Sequence, residues 1–573
     1  MTKIFRAALT ILVVITFVYS VLITANEVSS SLGVVSSRSE LASQAGIQAL
    51  EQGGNAIDAA VATAFTLAVT YPAAGNLGGG GFMVVYLADG SSYALDFREM
   101  APAAATRDMF LDENGDYDSE RALRSRMSSG VPGSVAGLLA AQDKLGKLDR
   151  QAVLAEAIRL AENGFQLPDD IAKRIRDRRD VWLRSEGSKQ VFLKLDNEEY
   201  LDYNASELFV QTDLATTLKR ISKEGTKGFY EGETADLIVA EMQRGNGLIS
   251  HGDLKRYTSV WREPVHGTYR DYQIISMPPP SSGGVLLVQM LNMLERFDVG
   301  ELGFGTLATM HLMSEVERRA YADRATHLGD SDFYPVPIDE LIDKKYASKR
   351  MGNFTPDKAS KSATIEAGTV SVESLETTHL SVIDHEGNAV ALTTTLNSGY
   401  GNGYVVEGAG FLLNNEMDDF SAKPGEPNQF GLVGAEANAI VPRKRMLSSM
   451  TPTIVVNKEE DYLLVTGSPG GSTIITTVLQ VVVNSIDHKM TLYDAVASPR
   501  FHHQWLSDRI TLELQGFDPE IIDDLRSLGH ETVNRTTIGD ANSAQKIGNM
   551  IIGVSDPRNE GRAVGLENTQ NSQ

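Results

Sequence analysis

Hydrophobic and polar positions divide the chain into stretches of different texture. Ala7 to Ala25 is an apolar run behind Lys3 and Arg6, interrupted only by Thr10, Thr16, Tyr19, Ser20 and Thr24. A basic segment before an apolar one marks a secretory signal, and the run approaches the ~20 residues that span a bilayer. Residues 1–25 are therefore expected to be a signal peptide or a retained membrane anchor, with the bulk extracytoplasmic, periplasmic or secreted. Asn26 to Arg38 is polar and serine-rich, the texture of an N-terminal tail. Ser39 to Leu67 has the spacing of two helices broken at Gly53-Gly54-Asn55, the second small-sided and tightly buried. Met83 to Leu87 and Tyr93 to Phe97 alternate as strands around a turn at Gly90, and residues 118–345 are mostly helical in pattern. Pro278 to Gly284 reads as a rigid loop feeding a helix from Val285 to Phe297.

The texture changes after a polar, exposed stretch, Asp357 to Glu376. Thr377 to Ile383 alternates, Asp384 to Gly387 is a turn, and Asn388 to Leu396 is a second strand. With the turn at His385–Gly387, facing residues have numbers summing to about 771 or 772, so Thr377 falls opposite Thr394 or Thr395 and Asn397 reaches the open end. Tyr462 to Thr466 is a further strand, running through Gly467-Ser468-Pro469-Gly470-Gly471 into an apolar helix near Ser472. Mixed strands, hairpins and helices imply an α+β fold in which helices cover a sheet.

Composition narrows the chemistry. The 573 residues include 75 Asp and Glu against 52 Lys and Arg, a net charge of −23 that disfavours nucleic acid. Cysteine is absent, which excludes thiolate nucleophiles, disulfides and Cys-ligated metal. Gly78 to Gly81 lack the Lys-Ser/Thr of a phosphate loop, and no nucleophile elbow or HExxH is present. His502-His503 read as structural neighbours, since adjacent strand residues point to opposite faces. No cofactor or metal is called for.

Three elements carry a reaction. The hairpin brings a threonine hydroxyl to hydroxyls and an amide. Gly470-Gly471 before a helix offers unpaired N–H groups that suit an oxyanion. Asn414 to Phe420 concentrates three carboxylates, and Arg443 to Arg445 precede Ser448-Ser449; an amino-acid head group needs both kinds of partner. Each element alone has a bland reading: an exposed threonine-rich strand pair, a simple glycine turn, a solvated charged loop.

In this order TTHLSVIDHEGNAVALTTTLN, LLNNEMDDFSAKPG, LSSMTPTIV and TGSPGGS resemble the small subunit of the γ-glutamyltranspeptidase (glutathione hydrolase) family. NLGGGGF, LDFREMAP, MPPPSSGG and AYADR resemble its large subunit, so the likeness runs from about Gly33 to Arg558. The resemblance implies an N-terminal-nucleophile (Ntn) hydrolase αββα sandwich, made as one precursor that cuts itself between Glu376 and Thr377. The large subunit would be residues 26–376, the small subunit 377–573, and the two would stay together as a heterodimer.

By the same resemblance Thr377 is the nucleophile, Thr395 supports it, and Gly470 and Gly471 form the oxyanion hole. Arg98, Ser448 and Ser449 would hold the substrate carboxylate, and Asn397, Glu416 and Asp419 its ammonium. Glutathione and other γ-glutamyl compounds would be donors, and water, amino acids or dipeptides acceptors. Position 416 is Glu where many bacterial members have Gln. The lid-loop segment, Pro424 to Ala435, carries Phe430 where Tyr is common; without the hydroxyl the lid is expected to open more readily. Two other readings stand beside this one: a cephalosporin or glutaryl acylase of the same fold, and an extracytoplasmic amino-acid-binding protein without catalysis.

Overall fold

The computed structural model describes residues 26–365, 377–423 and 434–567. Two seven-stranded sheets lie face to face. In the first the order is Arg562–Gly565, Gly33–Ser37, Thr377–Asp384, Ala389–Thr395, Gly80–Tyr86, Ser92–Phe97 and Val260–Arg262, every neighbour antiparallel. In the second it is Glu27–Ser30, Met550–Val554, Ser543–Ile547, Tyr462–Thr466, Thr453–Asn457, Tyr272–Ser276 and Val265–Tyr269.

Side-chain alternation makes the layers. Along Thr377–Asp384, Leu380 and Val382 face the helices Glu40–Glu51 and Ala56–Thr70, while Ile383 faces the other sheet. Phe82, Val84, Ala391, Ile454 and Val465 fill the space between the sheets. Helices Gly283–Leu294, Leu307–His327 and Thr473–Ile486 cover the far side. The result is an αββα sandwich. Ala56–Thr70 is buried along its whole length, as its small side chains require, and Asn55 closes it with a capping box.

Three sequence expectations are corrected. Residues 26–38 are not a tail: Glu27–Ser30 and Gly33–Ser37 each join a sheet, and the second is fully buried beside Thr377–Asp384. Its serines are tolerated inside because backbone carbonyls satisfy them, as Ser36 Oγ donates to Val554 O at 2.8 Å. The stretch 118–345 also contains three strands of the two main sheets, Val260–Arg262, Val265–Tyr269 and Tyr272–Ser276, the first two at sheet edges. A two-residue turn, with Arg270 at φ +53°, joins the last two, and its polar residues hide the break in helical pattern. The helix after Pro278–Gly284 runs Gly283–Leu294, stopping short of Phe297.

The glycines at 78–81 have a packing role. A Cβ on Gly79 would lie 2.1 Å from Thr395 O, and one on Gly81 2.3 Å from Thr393 O. Bare backbone there lets the neighbouring strand sit directly behind the threonines.

Candidate active site

Thr377 and Thr395 are direct partners in the hairpin, the register whose numbers sum to 772. Both side chains lie on the face toward the second sheet, at the end of the sandwich. Thr377 Oγ1 donates to Thr395 Oγ1 at 3.3 Å, and Thr395 Oγ1 also accepts from Asn397 N at 2.9 Å. Asn397, at φ +73°, turns the chain away from the strand; its Nδ2 donates to Asn415 O at 2.9 Å and its Oδ1 finds no donor among the described residues. The opposite wall comes from the second sheet. Strand Tyr462–Thr466 leads into Gly470 (φ +132°) and Gly471 (φ +57°), both in backbone regions that favour glycine. Among the described residues neither glycine N–H donates a hydrogen bond. Ser472, at the cap position, does not close the helix; its hydroxyl donates to Gln504 Oε1 at 2.6 Å.

A narrow cavity of about 20 Å³ opens between these walls, and Arg98, Thr377, Asn397, Glu416, Ser449 and Gly471 line it, with Thr395, Asp419 and Ser448 beside them. Arg98 follows strand Ser92–Phe97, and its N–H donates to Asp96 Oδ1 at 2.9 Å. Its guanidinium pairs with Glu416 and with Asp419, both on the turn Glu416–Asp419. Glu99 Oε2 lies 3.6 Å from the same guanidinium. Burial opposes the charge on Arg98, but these carboxylates raise its pKa. Burial pushes the Glu99 carboxyl up to about 7, against the pull of Arg98, and carries Glu416 well above the usual carboxylate range. Among the described residues neither Glu99 oxygen nor Glu416 Oε2 finds a donor, and the two carboxyls lie within reach of each other. One proton between them makes that contact a hydrogen bond.

Ser448 and Ser449 sit on a loop pinned by the Pro278–Gly284 segment: Ser448 N donates to Pro280 O at 2.9 Å, and Ser282 Oγ donates to Ser448 O at 2.7 Å. Asn438 ties this loop to the acidic turn, donating to Asp419 O at 2.7 Å and accepting from Leu447 N at 2.9 Å. Ten of the expected site residues thus converge: Thr377, Thr395, Asn397, Arg98, Glu416, Asp419, Ser448, Ser449, Gly470 and Gly471. Glu376, Phe430 and the segment 1–25 lie outside the described residues.

The profile of the Gamma-glutamyltranspeptidase family matches residues 42–566. The chain belongs to the γ-glutamyltranspeptidase family. It is an enzyme of that family's kind, a γ-glutamyltransferase and glutathione hydrolase of the Ntn class made as a precursor. Glutathione hydrolase proenzyme of Escherichia coli (strain K12) is 48% identical over 535 residues, 93% of this chain and 91% of that protein. Among solved structures, Helicobacter pylori γ-glutamyltranspeptidase is 47% identical with a TM-score of 0.56, covering 57% of this chain and 93% of that one. Cephalosporin acylase from Bacillus halodurans superimposes with a TM-score of 0.83 at 25% identity, over 95% and 97% of the two chains.

Two groups at this candidate site of the γ-glutamyltranspeptidase family member escaped the sequence reading: Glu99 and Arg324. Glu99 is adjacent to Arg98 in LDFREMAP, and Arg324 ends AYADR, so both motifs were visible without any sign of a role. Elsewhere His311, Glu315 and His530 bring ligand-type atoms within 4.8 Å of one another. Each is already engaged: His311 bonds His530 at 2.8 Å and Thr355 O at 2.8 Å, and Glu315 holds Arg318 and Arg319. His502 and His503 are buried and pack structurally; burial pushes them down to about 4 and about 3. A larger groove of about 670 Å³, against Tyr272, Tyr462 and Lys489, shares no residue with the Thr377 cavity. Among the described residues no helix is long and apolar enough to cross a membrane.

Proposed function

We propose that Thr377 becomes the N-terminal residue of a small subunit, residues 377–573, when the Glu376–Thr377 bond is cut, and that it then attacks γ-glutamyl amides. An uncut Thr377 has an amide nitrogen and no base. After cutting, it carries a hydroxyl and an α-amine with an ordinary pKa near ~8, able to accept the hydroxyl proton near neutral pH. Thr395 Oγ1, 3.3 Å away, fixes the direction of the hydroxyl. The carbonyl oxygen of the tetrahedral intermediate takes the Gly470 and Gly471 N–H groups.

Expulsion of the amine leaves a γ-glutamyl-Thr377 ester. Water then gives glutamate, and an amino acid or dipeptide amine gives the transfer product. The large subunit, residues 26–376, supplies Arg98; the solved H. pylori chain, which spans 57% of this one, has a length close to that of such a piece. Export of the protein agrees with the basic and apolar pattern of residues 1–25.

One observation carries the substrate class. Arg98, Glu416 and Asp419 face Thr377 across one small cavity, so a zwitterionic head group is held at a fixed distance from the nucleophile and its side-chain amide is presented. The acylase reading rests on the likeness to the B. halodurans enzyme. A glutaryl arm lacks the ammonium for which Glu416 and Asp419 are suited, and this favours the γ-glutamyl reading. Release of p-nitroaniline from γ-glutamyl-p-nitroanilide, against glutaryl-p-nitroanilide, tests the choice. Preference for the γ-glutamyl compound supports this function; preference for glutaryl overturns it in favour of an acylase.

A further inference from the structure

Arg324 projects from helix Leu307–His327 into the cavity that Thr377 lines. Its Nε donates to Ser282 Oγ at 2.9 Å and its Nη2 to Ser449 Oγ at 3.2 Å. Among the described residues Nη1 has no hydrogen-bond partner and no carboxylate lies within ion-pair distance of the guanidinium. The side chain is nevertheless about 5% exposed. Buried arginines are ordinarily matched by anions, because an uncompensated interior charge is costly. Burial, with Arg98 nearby, pushes Arg324 down to about 10, so it stays charged at neutral pH.

Arg98 is in the opposite condition. Its Nη1 and Nη2 are engaged by Glu416 and Asp419, and Nε and Nη2 also donate to Met446 O and Leu447 O at 3.3 Å. A substrate carboxylate reaching Arg98 must compete with carboxylates already there. One that reaches Arg324 meets an unengaged N–H and, beside it, the Ser449 hydroxyl.

We propose that Arg324 is a substrate-binding residue, whose guanidinium and the Ser449 hydroxyl it holds take the α-carboxylate of the γ-glutamyl donor. The ammonium of the same donor then meets Glu416 and Asp419, and the two arginines stand on either side of the head group. The proposal rests on the γ-glutamyl reading of the site.

The test uses the purified, cut enzyme and three competitive ligands. L-Glutamate carries both head-group charges, glutarate lacks the ammonium, and 4-aminobutyrate lacks the α-carboxylate. Inhibition constants are measured for the wild type, Arg324→Met and Arg324→Lys. The expected result is a loss of about 10- to 100-fold for glutamate and glutarate in Arg324→Met, little change for 4-aminobutyrate, and partial recovery in Arg324→Lys. Equal weakening of all three ligands would make Arg324 a structural residue and overturn the proposal; so would no weakening of any. If Arg324→Met does not fold, the same comparison is made with Arg324→Lys, where a shift confined to the two α-carboxylate ligands supports the proposal and an even shift or none overturns it. Wild-type enzyme that does not bind glutamate would overturn the γ-glutamyl reading itself, and this proposal with it.

Discussion

Thr395 serves two neighbours with one oxygen, and its loss should separate catalysis from binding. Thr395→Ala removes the acceptor of the Thr377 hydroxyl and leaves Asn397 N without its 2.9 Å partner. Neither contact grips the head group directly. The expected outcome in steady-state kinetics is a kcat lower by about 10- to 100-fold with a much smaller change in KM. Glu99 makes a second prediction, in pH. Its carboxyl rises from an ordinary 4.5 to about 7 in the fold, so the native state keeps a proton that the unfolded chain gives up. Stability should therefore fall as pH rises from about 4.5 to about 7 and level off above that. Glu99→Gln removes the titrating group. In urea unfolding it should flatten this slope, by an amount on the order of 1–3 kcal/mol between pH 5 and pH 8. A turn and arithmetic along adjacent strands placed Thr377 opposite Thr394 or Thr395, and the observed register selects Thr395. The meeting of Arg98, Glu99 and Arg324 with residues over a hundred positions away did not follow from the pattern, because periodicity reports which face a side chain takes and not what lies across from it.

The hairpin Thr377–Thr395 depends on its far end as much as on its catalytic end. Asp384 Oδ2 accepts from Ala56 N at 2.9 Å, the first turn of the buried helix, and from Asn388 Nδ2 at 2.8 Å; Oδ1 accepts from Glu386 N and Asn388 N, each at 3.0 Å. One buried carboxylate thus sets the turn, caps the helix and locks the register that places Thr377 beside Thr395. Asp384→Ala should cost about 2–4 kcal/mol in chemical denaturation, since it strands several buried donors. The strand and turn pattern of this hairpin was plain in the sequence because one face alternates toward a helix layer. Gly33–Ser37 is as buried as the hairpin strands, but glycine and serine make up three of its five residues, so it shows neither alternation nor an apolar run.

Both sheets interleave the two expected subunits. Strand Gly33–Ser37 lies between Arg562–Gly565 and Thr377–Asp384, and Ala389–Thr395 pairs with Gly80–Tyr86. The second sheet is closed at one end by Glu27–Ser30 and at the other by Tyr272–Ser276 and Val265–Tyr269. A cut before Thr377 therefore breaks a covalent bond without separating a body, and the halves should co-elute in size-exclusion chromatography until denatured. The same interleaving lets Arg98, before the proposed cut, line the cavity of Thr377, after it. The measurement that bears most directly on the N-terminal threonine is the intact mass, with a denaturing gel, of the wild type and Thr377→Ala, each then offered γ-glutamyl-p-nitroanilide. Two pieces cut at Glu376–Thr377 and chromophore release in the wild type alone are the predicted result. A single folded, uncut wild-type chain that still releases p-nitroaniline, or a Thr377→Ala variant that does so, would contradict it.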